Sequence, residues 1–225
     1  MTRLLVLAEG DSEELFVQNI LSPHLENFGV YARATGVISK RLASGGKFTG
    51  GNLWSNVQLS LRPLLADSDA WVTTLLDFYG LPADFPGVSG VSVGHGAARD
   101  RVQAVECALL EAMGDRETTR RFIPFIALHE FEAWYFAGPY KVADYFGQVE
   151  ISAMMERAIQ DADGPENINH GKQTHPSKRL ESYGMGFRKT SAVTVLKDIG
   201  LDAIRAACPH FNGWLTGLEK LGSDR

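Results

Sequence analysis

Leu4-Leu5-Val6-Leu7-Ala8-Glu9-Gly10-Asp11-Ser12-Glu13 is the stretch whose reading decides the fold. Five apolar residues followed by a charge and a glycine describe a buried strand that ends in a turn. The next segment, Asp11 to Phe28, carries Leu15, Phe16, Ile20 and Leu21 at helical spacing, with Asp11 or Ser12 placed to cap it and Gly29 to close it. A strand without polar alternation is covered on both faces, which is the signature of a parallel sheet layered between helices.

Working outward, the same alternation continues. Val30 to Val37 reads as a second strand and Trp54 to Leu65 as an amphipathic helix. Ala70 to Leu76 is another apolar run, closed by Asp77, and Gly80 to Gly96 is rich in turn residues. Ala97 to Met113 predicts a helix with Val102, Val105, Leu109 and Met113 on its buried side. Phe122 to Leu128 is the third strongly apolar run, ends at His129-Glu130, and leads into a helical Phe131 to Phe136. The expectation is an α/β layered domain with a mainly parallel central sheet over residues 1–140, and a helical C-terminal extension over 141–225 packed on it. Within the extension, Asp144 to Ala158 predicts a helix, Asp161 to Pro176 a polar loop, and the remainder two or three short helices.

The chain has 225 residues, 44% hydrophobic and 22% charged, enough to bury one substantial core and too apolar for a mainly disordered chain. Lys and Arg number 22 against 27 Asp and Glu, a net charge of −5, so any nucleic-acid contact has to come from a local patch. Cys107 and Cys208 form no C-x-x-C pair, which argues against a cysteine zinc site and a disulfide scaffold and for a reducing, cytoplasmic setting. The run Leu4 to Ala8 is too short for a signal peptide or a membrane span.

Three apolar runs end in an acid: Glu9, Asp77 and Glu130. In a parallel sheet those ends share one edge, where open α/β sheets place their ligands. Converging carboxylates repel unless a cation neutralises them, and oxygen donors without a His or Cys cluster suit Mg²⁺ or Mn²⁺. Glu13 lies one helical turn beyond Glu9, and Glu132 stands in reserve beside Glu130. Acids at these positions also complement helix dipoles with no metal at all, and that alternative stays open. His129 reads either as a residue supporting the acids or as an ordinary hydrogen-bonded histidine at a helix start.

Other motifs fail on spacing. Gly45-Gly46-Lys47 has Arg41 and Phe48 where a P-loop needs Gly and Ser or Thr. Gly90-Val91-Ser92-Val93-Gly94 lacks the preceding strand of a nucleophile elbow, and Ala133 removes H-E-x-x-H. Trp54, Trp71, Trp134 and Trp214 fall within apolar periodicities and read as core or subunit contacts. The most basic stretch holds His170, Lys172, His175, Lys178, Arg179, Arg188 and Lys189, which is either a phosphate-contacting surface or a solvated face.

The residues also carry a resemblance. Leu7 to Glu13 is similar to the opening motif of the Toprim fold, in the form found in overcoming-lysogenisation-defect nucleases. Leu76-Asp77-Phe78-Tyr79-Gly80-Leu81-Pro82, His129-Glu130-Phe131-Glu132-Ala133-Trp134 and Pro176-Ser177-Lys178-Arg179 resemble, in order, the blocks of an uncharacterised bacterial Toprim-like family often encoded beside an ATPase. The resemblance implies a Toprim-like domain and a Mg²⁺- or Mn²⁺-dependent nuclease acting on DNA or RNA, an anti-phage effector with an ATPase partner. Its metal ligands would be Glu9, Glu13, Asp77 and Glu130 or Glu132. Glu9, Glu13, Asp77 and Lys178 would carry the reaction, with Lys172, Lys178 and Arg179 on the nucleic acid. One departure matters: the usual D-x-D of the second motif is Asp77-Phe78-Tyr79 here, so one ligand is absent or comes from elsewhere. A Toprim-fold module that regulates without cutting, and a phosphoryl-transfer enzyme for a small phosphate, are the alternatives; homo-oligomerisation is left open.

Overall fold

The computed structural model describes residues 1–38, 54–89, 98–168 and 174–223. Gly45-Gly46-Lys47, Gly90 to Gly94 and Lys172 lie outside the described residues. The strands are β1 (Thr2–Ala8), β2 (Val30–Gly36), β3 (Ala70–Asp77), β4 (Phe122–Ile123) and β5 (Ile126–Ala127). They form a parallel sheet in the order β2-β1-β3-β4, with β5 pairing the far end of β3. The α/β class and the parallel sheet are as the sequence predicts.

The expected single strand over 122–128 is broken in two. Pro124 has no N–H to give a ladder, and threonines on β3 bridge the gap. Thr74 Oγ1 donates to the Phe125 carbonyl (2.8 Å) and accepts the Phe125 N–H (2.9 Å). Thr73 Oγ1 donates to the Ile123 carbonyl (2.6 Å) and accepts the Trp214 indole N–H (2.9 Å).

The first helix is likewise interrupted. Helix α1 (Asp11–Phe16) passes through a π turn (Val17–Leu21) into α2 (Ser22–Glu26), and Ser22 N–H donates to the Val17 carbonyl, five residues back. Pro23 accounts for this, because it lacks an N–H and its ring crowds the carbonyl of the preceding turn. The residue preceding α1 is Gly10, with no side-chain cap, rather than Asp11 or Ser12. Gly29 does end the unit, at φ +74°.

Side chains alternate across the sheet into two cores. Leu7, Val72, Leu76, Phe122 and Ile126 pack under α3 (Trp54–Leu65) and α4 (Ala98–Met113). The α4 residues buried there are Val102, Val105, Leu109 and Met113, the face read from periodicity. On the other side, Leu4, Val6, Val30, Leu75, Phe125 and Ala127 meet α1, α2 and nearly everything after residue 130. A short helix α5 (Arg116–Thr119) precedes β4.

Beyond β5 the chain enters a 3₁₀ segment (Phe131–Ala137), tighter than the helix expected, whose Phe131, Trp134, Tyr135 and Phe136 are all buried. The helix expected over 144–158 is two helices, α6 (Pro139–Phe146) and α7 (Glu150–Ala162), parted by Gly147 at φ +66°. The stretch read as a polar loop contains a 3₁₀ turn, Pro165–Asn167, and Glu166 in it is buried. Among the described residues four helices follow instead of two or three: α8 (Pro176–Ser182), α9 (Lys189–Ile199), α10 (Leu201–Ala207) and α11 (Pro209–Lys220).

Glu166 is what makes that turn an interior element. Its two oxygens accept the N–H groups of His210 and Phe211 (2.9 Å each), taking up orphan amides at the start of α11. Trp214 of α11 then stacks on Phe125 with ring centroids 4.3 Å apart. Trp134 and Trp214 are core residues, and Trp54 packs edge-on to Phe85. Both cysteines are free, Cys107 exposed and Cys208 buried. Among the described residues no helix is long and apolar enough to cross a membrane.

Candidate functional site

Strands β1 and β3 run side by side and finish together, Ala8 level with Leu75, so the acids that end them are neighbours. The Glu9 N–H donates to the Leu75 carbonyl (3.0 Å), continuing the ladder by one residue. The Glu9 side chain then turns across the sheet edge, where Oε2 accepts the Asp77 N–H at 2.7 Å. Its other oxygen lies against the Cα of Gly80, and a Cβ built at residue 80 collides with it. A side chain at residue 80 would push the Glu9 carboxylate out of this position. Asp77, buried, accepts the Phe131 N–H on Oδ1 (2.7 Å), which ties β3 to the start of the 3₁₀ segment.

Glu13 and Glu132 form a deeper layer. Glu13 sits in the first turn of α1 with its carboxylate folded back toward Gly10, and Glu132 is wholly buried in the 3₁₀ segment. Both charges reach the Tyr135 phenol, which burial first, then Glu132 and Glu13, hold well above the usual tyrosine range. A protonated phenol beside two acids is the expected state. Glu132 therefore lies within the core side of the site and not on the edge next to Glu130.

Glu130 has its own partners. Oε2 accepts the Ser177 N–H (2.8 Å) and stands 2.9 Å from His175 Nδ1, while Oε1 accepts the Ser177 hydroxyl (3.1 Å). His175 Nδ1 is also 3.2 Å from Ser177 Oγ. With the hydroxyl proton directed at Glu130, both oxygens near Nδ1 present lone pairs, so Nδ1 carries the imidazole proton. The Tyr79 ring, exposed, lies between His129 (centroids 5.2 Å) and His175 (5.8 Å). Its backbone N–H donates to the His129 carbonyl (3.0 Å).

His129 is not the ordinary hydrogen-bonded histidine of a helix start. Its backbone adopts φ +64°, rare for a residue with a side chain, and its Nδ1 is buried without a hydrogen-bond partner among the described residues. Burial above all, reinforced by Arg101 and opposed by Glu130, lowers its pKa to about 4. The imidazole is neutral at pH 7.

The basic residues Lys178 and Arg179 each have a partner close by in the chain. Lys178 is exposed and pairs with Glu181 (2.6 Å), one turn along α8. Arg179 turns back on its own chain, Nε donating to the Thr174 carbonyl (2.7 Å). In sequence His175 appears only as part of a basic stretch and Ser177 only within a motif block; their joint contact with Glu130 is a product of the fold. The signal was present: Pro176 at the first position of a helix leaves the next amide unpaired, ready for an acid from elsewhere.

The five acids thus divide into an edge pair, Glu9 and Asp77, an inner pair, Glu13 and Glu132, and Glu130 with His175 and Ser177. Among the described residues no three His, Cys, Asp or Glu side chains are gathered so as to enclose a metal ion. The edge pair nevertheless fits the kind of Mg²⁺ or Mn²⁺ site in which one or two carboxylates share the ion with water and substrate phosphate. It does not fit an all-protein cage. No curated protein and no solved structure matches the chain. Residues 8–219, nearly the whole chain, match a family model described as Domain of unknown function (DUF4276), and the chain belongs to that family.

Proposed function

We propose that the protein is a divalent-metal-dependent phosphodiester hydrolase acting on DNA or RNA. The observation that carries this reading is the pairing of Glu9 and Asp77 at the carboxyl edge of adjacent parallel strands, each fixed by a backbone amide. Such pre-fixed carboxylates suit a cation that must also bind a phosphate, and the edge is where this fold class presents ligands. Mg²⁺ or Mn²⁺, when bound, would supply Lewis-acid polarisation of the phosphoryl oxygen. Glu9 and Asp77 would hold it. Gly80 leaves room for the Glu9 carboxylate. The motif resemblance to Toprim nucleases supports the same reading, and an ATPase partner rests on that resemblance alone.

The single-ion edge pair also favours a second reading. With Tyr79 standing where a further acid is usual and no three-residue metal cage among the described residues, the fold would bind a metal or nucleotide and regulate without cutting. Calorimetric titration of Mn²⁺ into wild type, Glu9→Ala and Asp77→Asn, with parallel incubation on plasmid DNA and total RNA, separates the two. Binding and cleavage lost together in both variants support the hydrolase. Binding without cleavage supports the regulatory module, and a wild type that takes no Mn²⁺ rejects the metal site.

A further inference from the structure

Glu130 was expected among the metal ligands, yet its surroundings describe a different task. Three donors converge on it: the Ser177 N–H, the Ser177 hydroxyl and the protonated Nδ1 of His175, at 2.8, 3.1 and 2.9 Å. The carboxylate thus holds the imidazole in one tautomer while the two Ser177 donors fix the carboxylate itself. That tautomer leaves Nε2 as a lone pair. Nε2 makes no hydrogen bond among the described residues, and the side chain is one-fifth exposed. His129 and His210, by contrast, are buried.

The dyad is also in the right place. Glu130 is followed directly by Phe131, whose amide Asp77 accepts, and the His175 ring contacts Tyr79, two residues beyond Asp77. A carboxylate–histidine pair with its outer nitrogen open is the arrangement that orients a general base, because the acid fixes the ring and stabilises the imidazolium that forms.

We propose that His175 is the proton acceptor of the site, with Glu130 and Ser177 as positioning residues; this rests on the phosphodiester reading above for its substrate. The water oxygen forms the new bond to phosphorus as its proton passes to His175 Nε2. The opposite P–O bond breaks with its electron pair on the leaving oxygen, which takes a proton from solvent, and the imidazolium gives its proton to solvent, returning His175 to neutrality. No further co-reactant is needed. Lys178, engaged with Glu181, has no part in the step.

Two measurements test this separately. Long-range ¹H–¹⁵N correlation spectra of the imidazoles at pH 8 are expected to show His175 with a protonated Nδ1 and bare Nε2 in wild type, and a mixture of tautomers in Glu130→Leu. A protonated Nε2 in wild type would overturn the proposal whatever the protein's substrate. In the second arm, with Mn²⁺ and plasmid DNA or RNA, His175→Gln is expected to lower kcat about 100-fold with KM little changed, and Ser177→Ala to lower it about 5-fold. An unchanged kcat in His175→Gln overturns the proposal while leaving the hydrolase reading intact. If wild type cleaves neither polymer but shows the bare Nε2, the oriented acceptor stands and the phosphodiester reading falls.

Discussion

Two helices of this protein begin in the same way and end up serving different purposes. At α8 and at α11 a proline occupies the first position and the next amides go to a buried glutamate from elsewhere in the chain, Glu130 in one case and Glu166 in the other. Each glutamate also has a histidine close by. His210, in α11, turns its Nε2 inward onto Glu106 and the Ile126 carbonyl (3.1 Å each) and stacks on Phe125. His175, just before α8, turns only Nδ1 inward. The acid–amide closure is the same physical device in both, a charge satisfying orphan donors. What distinguishes them is that Nε2 of His210 has two protein partners, whereas Nε2 of His175 has none among the described residues. Packing makes the first a structural joint and leaves the second able to exchange a proton.

The comparison can be broken at the closed joint first. Glu166→Ala leaves two buried amides without an acceptor and is expected to cost about 4 kcal/mol, read from urea denaturation. Burial raises the Glu166 pKa against the opposing pull of those amides, so Glu166→Gln, which keeps one acceptor without the charge, is expected to cost less than half as much. If the alanine variant is as stable as wild type, Glu166 is no joint.

His129, beside the open site, sharpens the contrast through pH. Its native pKa of about 4 lies below the unfolded value of 6.5, so the native state binds fewer protons. Its effect on stability is absent above pH 6.5, grows as a penalty while pH falls from 6.5 to 4, and levels off below. The size at pH 4 is roughly 3 kcal/mol. Denaturation curves at pH 7 and pH 4 should show this extra loss in wild type and not in His129→Asn, a residue that tolerates the left-handed backbone. Equal acid losses in the two proteins would contradict the burial assigned to His129.

Smaller effects are expected at the open helix start. Ser177→Ala removes one hydroxyl donor while the backbone amide remains, and should cost about 1 kcal/mol of stability. Lys178→Ala, which breaks only an exposed pair with Glu181, should stay within about 0.5 kcal/mol and leave cleavage of a nucleic acid unchanged. A large activity loss in Lys178→Ala would return that residue to the phosphate-binding role the motif resemblance implies.

Much of the sheet was readable in advance, because unbroken apolar runs such as Leu4 to Ala8 and Ala70 to Leu76 can be buried only between two layers. The α4 face was readable for the same reason, its period being that of the helix. The break at Pro124 and the π turn before Pro23 were signalled by the prolines, yet their outcome depended on Thr74 and on the surrounding core. Glu166 read as a loop residue because nothing near it in sequence reveals the amides of α11, more than 40 residues away. The candidate site was half legible: Glu9 and Asp77 follow from strand ends, whereas the partners of Glu130 do not.

By itself, then, the amino-acid sequence determined the layered α/β architecture, the parallel direction of the strands and the placing of Glu9, Asp77 and Glu130 along one edge. These follow from periodicity and strand termination, which act over a few residues. Only the tertiary structure decided that Glu9 leans on the Asp77 amide, that Glu132 points into the core, and that Glu130 belongs with His175, 45 positions further on. Hydrogen-bond partners of buried charges are chosen by what the packed core brings within 3 Å, and that choice has no local trace.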